Sequence, residues 1–356
     1  MANLTGFLDE LNTSTQRHIV PGLIDNNFKN DPALAYLKKN NLEKFTGGTQ
    51  IQENFVYASL PNGGAYSDGA TASIVIVQTE TGGSFIPKNY WVPVAISKIQ
   101  AQVFNKGPEA VFRLVDSRLQ NAALTMSGIL AIALYNEGQS TTARANGTTA
   151  AQHLNGFAEV LNDGSNNSWT GAAYTTYGTL TRGGTIGSAL SSPMTAPTAN
   201  VAGPITYKTL EEAYNSIVIG DEYPNLMVTT NLGMSYIKEK FQPQWRVETQ
   251  DPKIGFNGIK FNQAMVIQSQ YAPGSAGVND TNLGNYLAPS SQGETLFYLN
   301  TKYWRMWVTD DPEFAFGFTG FKPAQDSLTV AGQYLFTGNV TCQSPRLNRH
   351  LYNITG

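Results

Sequence analysis

The sequence predicts an α+β protein of extended outline, in which a long two-stranded ribbon and a long helix precede a small mixed domain and closing strands. Three observations lead there. β-Branched and aromatic residues crowd residues 49–58 and 90–105, with alternation at Val92, Val94 and Ile96. Apolar residues then recur in steps mostly of three and four from Val111 to Leu134. From Thr209 onward, short helical and strand patterns alternate.

Taken in order, residues 1–47 form an N-terminal arm of short helical pieces with no self-sufficient core. One piece is at residues 6–11. Another is at residues 31–39, where Asp31 caps and Pro32 sits at the first helical position. After Gly47 and Gly48 the ribbon begins, residues 48–104, its two strands expected to pair antiparallel with each other. The long connection between them holds Gly63, Gly64, Gly69, Gly82 and Gly83, a short β-like run at residues 74–77, and no Lys or Arg between Lys44 and Lys88. A loop of that length is functional or held by another chain, and an isolated two-stranded ribbon is marginal in water. The ribbon is therefore expected to lie on a neighbouring subunit.

Residues 105–200 follow as a domain built on a helix at residues 109–136, about 40 Å long at 1.5 Å per residue. Its apolar stripe is Val111, Val115, Leu119, Ala122, Met126, Ile129, Ala133 and Leu134, and Glu109 stands one turn before Arg113. The Gly-, Ser- and Thr-rich stretch after it carries Arg182 as its one charge between Gly164 and Tyr207. Residues 154–161, Trp169 and residues 174–180 supply apolar anchors that favour ordered loops over disorder. Residues 201–294 form a small α/β domain: a helix capped by Thr209 with Glu212, a strand at 225–229, a helix at 232–241 and a strand at 259–269. Residues 295–356 return as strands at 295–299, 303–308 and 328–341, with a polar turn at 310–313.

Composition bears on function. Charged residues are 14% of the chain against about 25% in an ordinary soluble domain, so much of the surface is neutral and polar. Such a surface suits a subunit that buries it against copies of itself. A net charge of −3 lacks the basic face of a nucleic-acid binder. The first residues show no secretory signal, and the apolar run at 129–135 is far short of the roughly 20 residues that span a bilayer.

Catalytic chemistry finds no constellation. Cys342 is the single cysteine, His18, His153 and His350 are scattered, and no nucleophile elbow, phosphate loop or dinucleotide fingerprint occurs. The run from Gly183 to Gly187 has the wrong spacing and is taken as a loop. The acidic pairs Glu211 with Glu212, and Asp310, Asp311 with Glu313, are taken as a solvated helix face and a turn. Tyr303, Trp304 and Trp307 are taken as strand residues packing a core. Asn146 and Asn339 match the glycosylation sequon as chance permits in an Asn- and Thr-rich chain. The expectation is a non-enzyme with no catalytic, cofactor or metal site.

Several segments carry a resemblance in their order. Gly47-Gly48-Thr49-Gln50-Ile51 stands at the ribbon's entrance, Asn105-Lys106-Gly107 stands before the long helix, and Leu154-Asn155-Gly156-Phe157 and Tyr177-Gly178-Thr179-Leu180-Thr181-Arg182 lie in the middle. Pro224-Asn225-Leu226-Met227-Val228-Thr229, Gly255-Phe256-Asn257-Gly258-Ile259-Lys260-Phe261 and Leu299-Asn300-Thr301-Lys302-Tyr303 follow. Together they resemble the major capsid proteins of tailed double-stranded DNA bacteriophages, the Hong Kong 97 type fold. The resemblance implies an N-arm, an extended E-loop, a peripheral (P) domain with a spine helix and an axial (A) domain. It also implies pentamers and hexamers of an icosahedral shell enclosing packaged double-stranded DNA without sequence-specific binding, assembled in the bacterial host cytoplasm as part of a virion. Partners would be a portal protein, a separate scaffold and decoration proteins. Lysine–asparagine welding of the shell is not implied, because residues 60–83 hold no lysine and Lys88 lies on the return strand. Two alternatives stay open: a same-fold nanocompartment shell enclosing a cargo enzyme, and a secreted β-rich adhesin or binding protein.

Overall fold

The computed structural model describes residues 31–58, 76–97, 114–135, 152–165, 173–182, 193–241, 248–250, 257–275, 293–323 and 329–356, with isolated positions at 60, 64–65, 67–69 and 99. The elements in chain order are α1 (Pro32–Asn40), β1 (Leu42–Phe45), β2 (Ile51–Val56), β3 (Glu80–Phe85), β4 (Lys88–Ser97), α2 (Leu114–Leu134) and α3 (Phe157–Val160). Then come β5 (Thr176–Tyr177), β6 (Leu180–Thr181), β7 (Thr198–Pro204), α4 (Tyr207–Asn215), β8 (Leu226–Thr229), α5 (Asn231–Phe241), β9 (Glu248–Gln250), β10 (Asn257–Phe261) and β11 (Ala264–Gln268). The chain closes with β12 (Glu294–Leu299), β13 (Trp304–Thr309), β14 (Ala315–Phe318), β15 (Lys322–Pro323), β16 (Thr329–Cys342) and β17 (Arg349–Thr355).

Two sheets organise these elements. One has the order β7-β17-β12-β8-β11-β10-β9 and the other is assembled around β16, which pairs with β13, β14 and β15 along one edge and with β4 along the other. Both β8 and β12 are buried at every position, as strands covered on both faces must be. Alternation along them feeds two cores. Met227, Leu296 and Tyr298 meet Leu210, Ala213, Met234 and Ile237 of α4 and α5. Leu226, Val228, Phe297 and Leu299 join the larger core with α1, α2 and the second sheet.

The C-terminal end of α2 lies at the centre of that larger core. Leu130 to Tyr135 are all buried, so the amphipathic stripe read in the sequence widens to the whole helix there. Tyr135 packs edge-on to Phe157 at 5.2 Å between ring centroids, and Phe157 packs edge-on to Trp304 at 4.9 Å. Residues 109–113 and 136, the expected helix ends, lie outside the described residues, as does the helical piece at 6–11.

Asp31 caps α1 as expected, its Oδ2 accepting from the Leu34 N–H at 2.8 Å. From Asp31 on, however, the segment assigned to an arm packs into the body: Ala33, Leu34 and Leu37 are core residues, and β1 pairs in parallel with β13. The closing segment also differs from a simple return. β12 and β17 complete the seven-stranded sheet, and β13 and β16 the other.

Four further expectations are corrected. The strand containing Val92, Val94 and Ile96 does not pair with β2. It is β4, registered against β16 from Ser97↔Thr329 to Lys88↔Gly338, while β2 pairs with β3. Glu80-Thr81-Gly82-Gly83-Ser84-Phe85 has weak strand propensity, but its glycines answer to close packing, since a Cβ at Gly83 would come within 2.7 Å of the Phe55 ring. The helix start expected at Thr209 falls at Thr206, whose Oγ1 accepts from the Thr209 N–H at 3.1 Å. Ile205 before the cap and Leu210 share one core, the pattern of a hydrophobic staple. The single strand expected at 259–269 is a hairpin of β10 and β11, turned at Asn262 with φ 50°. The residues Ile76 and Val77 of the β-like run are in no strand, and Ile74 and Val75 lie outside the described residues.

His350, on β17, is fully buried and stacked on Phe297. Burial drives its pKa down from 6.5 to about 3, opposed by a backbone hydrogen bond involving Leu161. The unfolded chain therefore takes up this proton near pH 6.5 and the folded chain only near pH 3. Acidification through that window favours unfolding by up to ~1.4 kcal/mol per pH unit. We predict that His350→Gln makes the fall in stability between pH 6.5 and pH 4 shallower by about one proton, measured by urea unfolding at each pH. Parallel pH profiles for the two proteins would contradict this.

Candidate assembly surfaces

The ribbon β2–β3 is held at its root by the chain's own body. On β2, Ile51, Glu53 and Phe55 face inward while Gln52, Asn54 and Val56 face out. Glu53 is a buried carboxylate whose charge is met by three donors: Trp307 Nε1 at 2.9 Å and Thr341 Oγ1 at 2.9 Å on Oε1, and Gln343 Nε2 at 2.8 Å on Oε2. A buried carboxylate needs such partners, and here they bind the ribbon to β13, β16 and the residue after β16.

The second anchor is the β5–β6 hairpin. Tyr177 is buried between Phe55 and Phe85, at 6.4 and 5.1 Å between centroids and edge-on to both. Ser84 donates its N–H to the Gly178 carbonyl at 2.8 Å. Gly178 has φ 56°, and a Cβ there would stand 2.6 Å from the Phe85 ring, so glycine is required twice over. The Tyr177 hydroxyl accepts from the Cys342 N–H at 2.7 Å. Arg182, the lone charge of its stretch, is also internal: its Nη2 donates to the Glu159 carbonyl at 2.5 Å, and burial brings its pKa down to about 10.

Above the root the Tyr57 hydroxyl donates to the Gln78 carbonyl at 2.8 Å, joining the two arms of the ribbon. Val56, Leu60 and Ile76 are exposed there, Leu60 at 72%. The root of the ribbon thus rests on its own chain, with these apolar side chains left exposed beside it. A second apolar surface lies on the outer face of β4 and β16. Asn89, Trp91, Pro93 and Ala95 point outward, and Trp91 stands opposite Leu335. Trp91 is 61% exposed and borders a groove of ≈ 440 Å³ with Phe314, Gln333, Leu335 and Thr337, none of them charged.

The polar residues singled out in the sequence do not come together. His153 is buried with Nδ1 3.3 Å from the Tyr90 hydroxyl. Cys342 is buried, its thiol pushed up to about 12 by that burial, which leaves it inert as a nucleophile. Glu211 accepts from Asn215 and Asn262, and Glu212 meets Lys208 at 3.7 Å. Asp310 pairs with Lys44 at 3.1 Å, and Asp311 accepts from the Glu313 N–H at 2.9 Å, as a turn residue does. Trp304 is core, and its Nε1 donates to Asn348 Oδ1 at 2.9 Å. Asn339 is fully buried and bonded to Asn155 and the Ile86 carbonyl, so its sequon is closed to modification in the folded chain. Among the described residues no cluster of three or more His, Cys, Asp or Glu is arranged to hold a metal ion, and no helix is long and apolar enough to cross a membrane. His18, Asn146, Trp169 and the run 183–187 lie outside the described residues.

Comparison with known proteins places this geometry. No family model and no curated protein matches the sequence. Solved structures do match. The capsid of cyanophage A-1(L) aligns with a TM-score of 0.62 at 12% identity, covering 96% of this chain and 97% of that one. The head structure of Helicobacter pylori bacteriophage KHP40 aligns at 0.56 and 8% identity, covering 99% and 97%. The holo-SrpI encapsulin complex from Synechococcus elongatus PCC 7942 aligns at 0.55 and 8% identity, covering 94% and 92%. The arrangement of ribbon, long helix and two sheets is therefore that of the Hong Kong 97 type capsid fold, shared over nearly the whole chain with phage capsid subunits and an encapsulin.

Proposed function

We propose that the chain is a major capsid protein, a non-enzymatic subunit that self-assembles into pentamers and hexamers of an icosahedral shell enclosing double-stranded DNA. The observation that carries this reading is the coincidence of a fold shared with capsid subunits over nearly the whole chain with large apolar side chains left exposed on the ribbon and on the β4–β16 face. Burial of such surface contributes about 25 cal/mol per Å², and many modest contacts per subunit add through multivalency. The net charge of −3 suits a wall that encloses DNA rather than grips it. Portal, scaffold and decoration proteins are the partners this role calls for, and the virion is its place.

The likeness to an encapsulin supports a second reading, a nanocompartment wall around a cargo enzyme. Particle contents separate the two: nuclease-protected DNA in particles from the native source for a capsid, co-purifying protein cargo for a compartment.

Electron microscopy with sedimentation velocity on the purified chain, alone and with its scaffold, tests the assembly reading. Closed shells, tubes or capsomer rings are expected, and a persistent monomer under both conditions would refute it. In such particles Trp91→Asp leaves the subunit folded, because the side chain is already exposed, but lowers the yield of closed particles by about tenfold or more, the cost of desolvating one unpaired charge. Unchanged assembly would remove the β4–β16 face from the interface. Glu53→Ala removes the shared acceptor of buried Thr341 and part-buried Trp307 and Gln343 and lowers subunit stability by ~1–3 kcal/mol, read by thermal unfolding, where exposed Gln52→Ala changes it little. We expect a noncovalent shell, its subunits running as monomers after boiling in detergent. Ladders of linked chains would contradict that.

A further inference from the structure

A cleft of ≈ 310 Å³ opens between α1, α2 and the β14–β16 edge. Its walls are apolar, formed in part by Leu34, Ala35, Met126, Leu130 and Phe316. Charge enters at the rim, where Lys38 holds its ammonium 4.1 Å from the centroid of the Phe316 ring. A ring face attracts a cation without accepting all three of its N–H donors. Among the described residues Lys38 makes no ion pair, and loss of water beside the apolar wall lowers its pKa. Asp31, the acid among the lining residues, is turned inward to the Leu34 N–H, Tyr135 and Ser269. The cleft is therefore complementary to a molecule with hydrocarbon at one end and negative charge at the other.

We infer that this cleft is a binding site for a linear aliphatic carboxylate, its chain against Met126, Leu130 and Phe316 and its head on the Lys38 ammonium. The volume stands at the small end of ligand pockets, which run from about 300 to 1,000 Å³. A helix measures about 10–12 Å across with its side chains, so an acidic helix would rest on the mouth of the cleft where a hydrocarbon chain enters it. A neutral hydrophobe would cover the walls and leave the ammonium without a counter-charge. A small inorganic anion would meet the ammonium and leave the walls wet. An amphiphile answers to both. Its binding ties α1 to the long helix α2 and to Phe316 of β14, and stabilises the subunit by mass action. This site is independent of the shell reading, since every residue in it comes from one chain.

The probe is decanoate below its micellar concentration, titrated into the full-length chain by calorimetry and followed by thermal unfolding. Saturable binding of one molecule per chain and a raised unfolding midpoint are expected. Hexanoate, four methylenes shorter, is expected to bind about a hundredfold more weakly, each buried methylene being worth about a factor of three to four. Decanol is expected to bind about tenfold more weakly, for want of the charge-assisted hydrogen bond. Lys38→Met keeps an unbranched stem and is expected to weaken decanoate by about the same factor while leaving decanol unchanged, and Lys38→Arg to retain decanoate. Ala35→Phe fills the cleft and is expected to abolish binding of both, with circular dichroism certifying the fold. Lys38 is exposed, so Lys38→Met carries the test even where Ala35→Phe disturbs folding. Trp91→Ala, on the other apolar face, is expected to change neither affinity. Absence of saturable decanoate binding, or binding that Lys38→Met leaves unaltered, would overturn the inference. Decanol bound as tightly as decanoate would overturn it too, by removing the part played by the charge.

Discussion

The structure turns on one buried carboxylate. Asp31 has no access to solvent, and burial raises its pKa above the ordinary carboxylate value, opposed by the hydrogen bonds it accepts. Those bonds come from three places distant in sequence: the first turn of α1, the hydroxyl of Tyr135 at the end of the long helix, and Ser269 after β11. Each donor would otherwise be a polar group stranded in a hydrocarbon core, so the acid and its donors require one another. The consequence is geometric. The first helix, the long helix and the seven-stranded sheet are fixed together, and Tyr135 carries the connection through Phe157 to Trp304 of the second sheet.

A body fixed in this way can hold extended segments at defined places. Glu53 and Tyr177 do for the ribbon root what Asp31 does for the core: a polar or aromatic side chain is completed by groups from elements far away in sequence. Outside that body Val56, Leu60 and Ile76 of the ribbon and Trp91 on the β4–β16 face are exposed, a costly surface for a free monomer and an apt one for the proposed shell subunit. The low charge content agrees with the proposed shell, in which few charged groups would be needed on covered surfaces.

Much of this was legible in the sequence where one residue type has one physical use. Asp31 followed by Pro32 marked the cap, the stripe through Ala122 and Met126 marked the long helix, and the alternation of Val92, Val94 and Ile96 marked an inward-facing strand. The fold class followed from the order of these pieces. Pairing was less legible, because alternation tells which face of a strand is buried and not which strand lies beside it. Gly82 and Gly83 concealed β3, since the value of Gly83 lies in the Phe55 ring that a Cβ would strike, a contact absent from any local pattern. Thr206 lost to Thr209 as the expected cap because the acid three residues after Thr209 was the louder signal, while the deciding contact was between Ile205 and Leu210. Glu53 and Arg182 gave no sign of being buried anchors, for their partners come from β13, β16 and α3. A lone charge in a long neutral stretch, as Arg182 is, was the one available hint.

The most direct test of a body joined through Asp31 is equilibrium urea unfolding of the wild-type chain and of Asp31→Ala, followed in parallel by tryptophan fluorescence, to which Trp91, Trp304 and Trp307 of the β16 sheet contribute, and by far-ultraviolet circular dichroism. The account predicts one coincident transition in the wild type. In Asp31→Ala it predicts a loss of ~2–4 kcal/mol, with the two probes separating as the sheets lose their common junction. A variant that unfolds in a single transition at wild-type stability would contradict it.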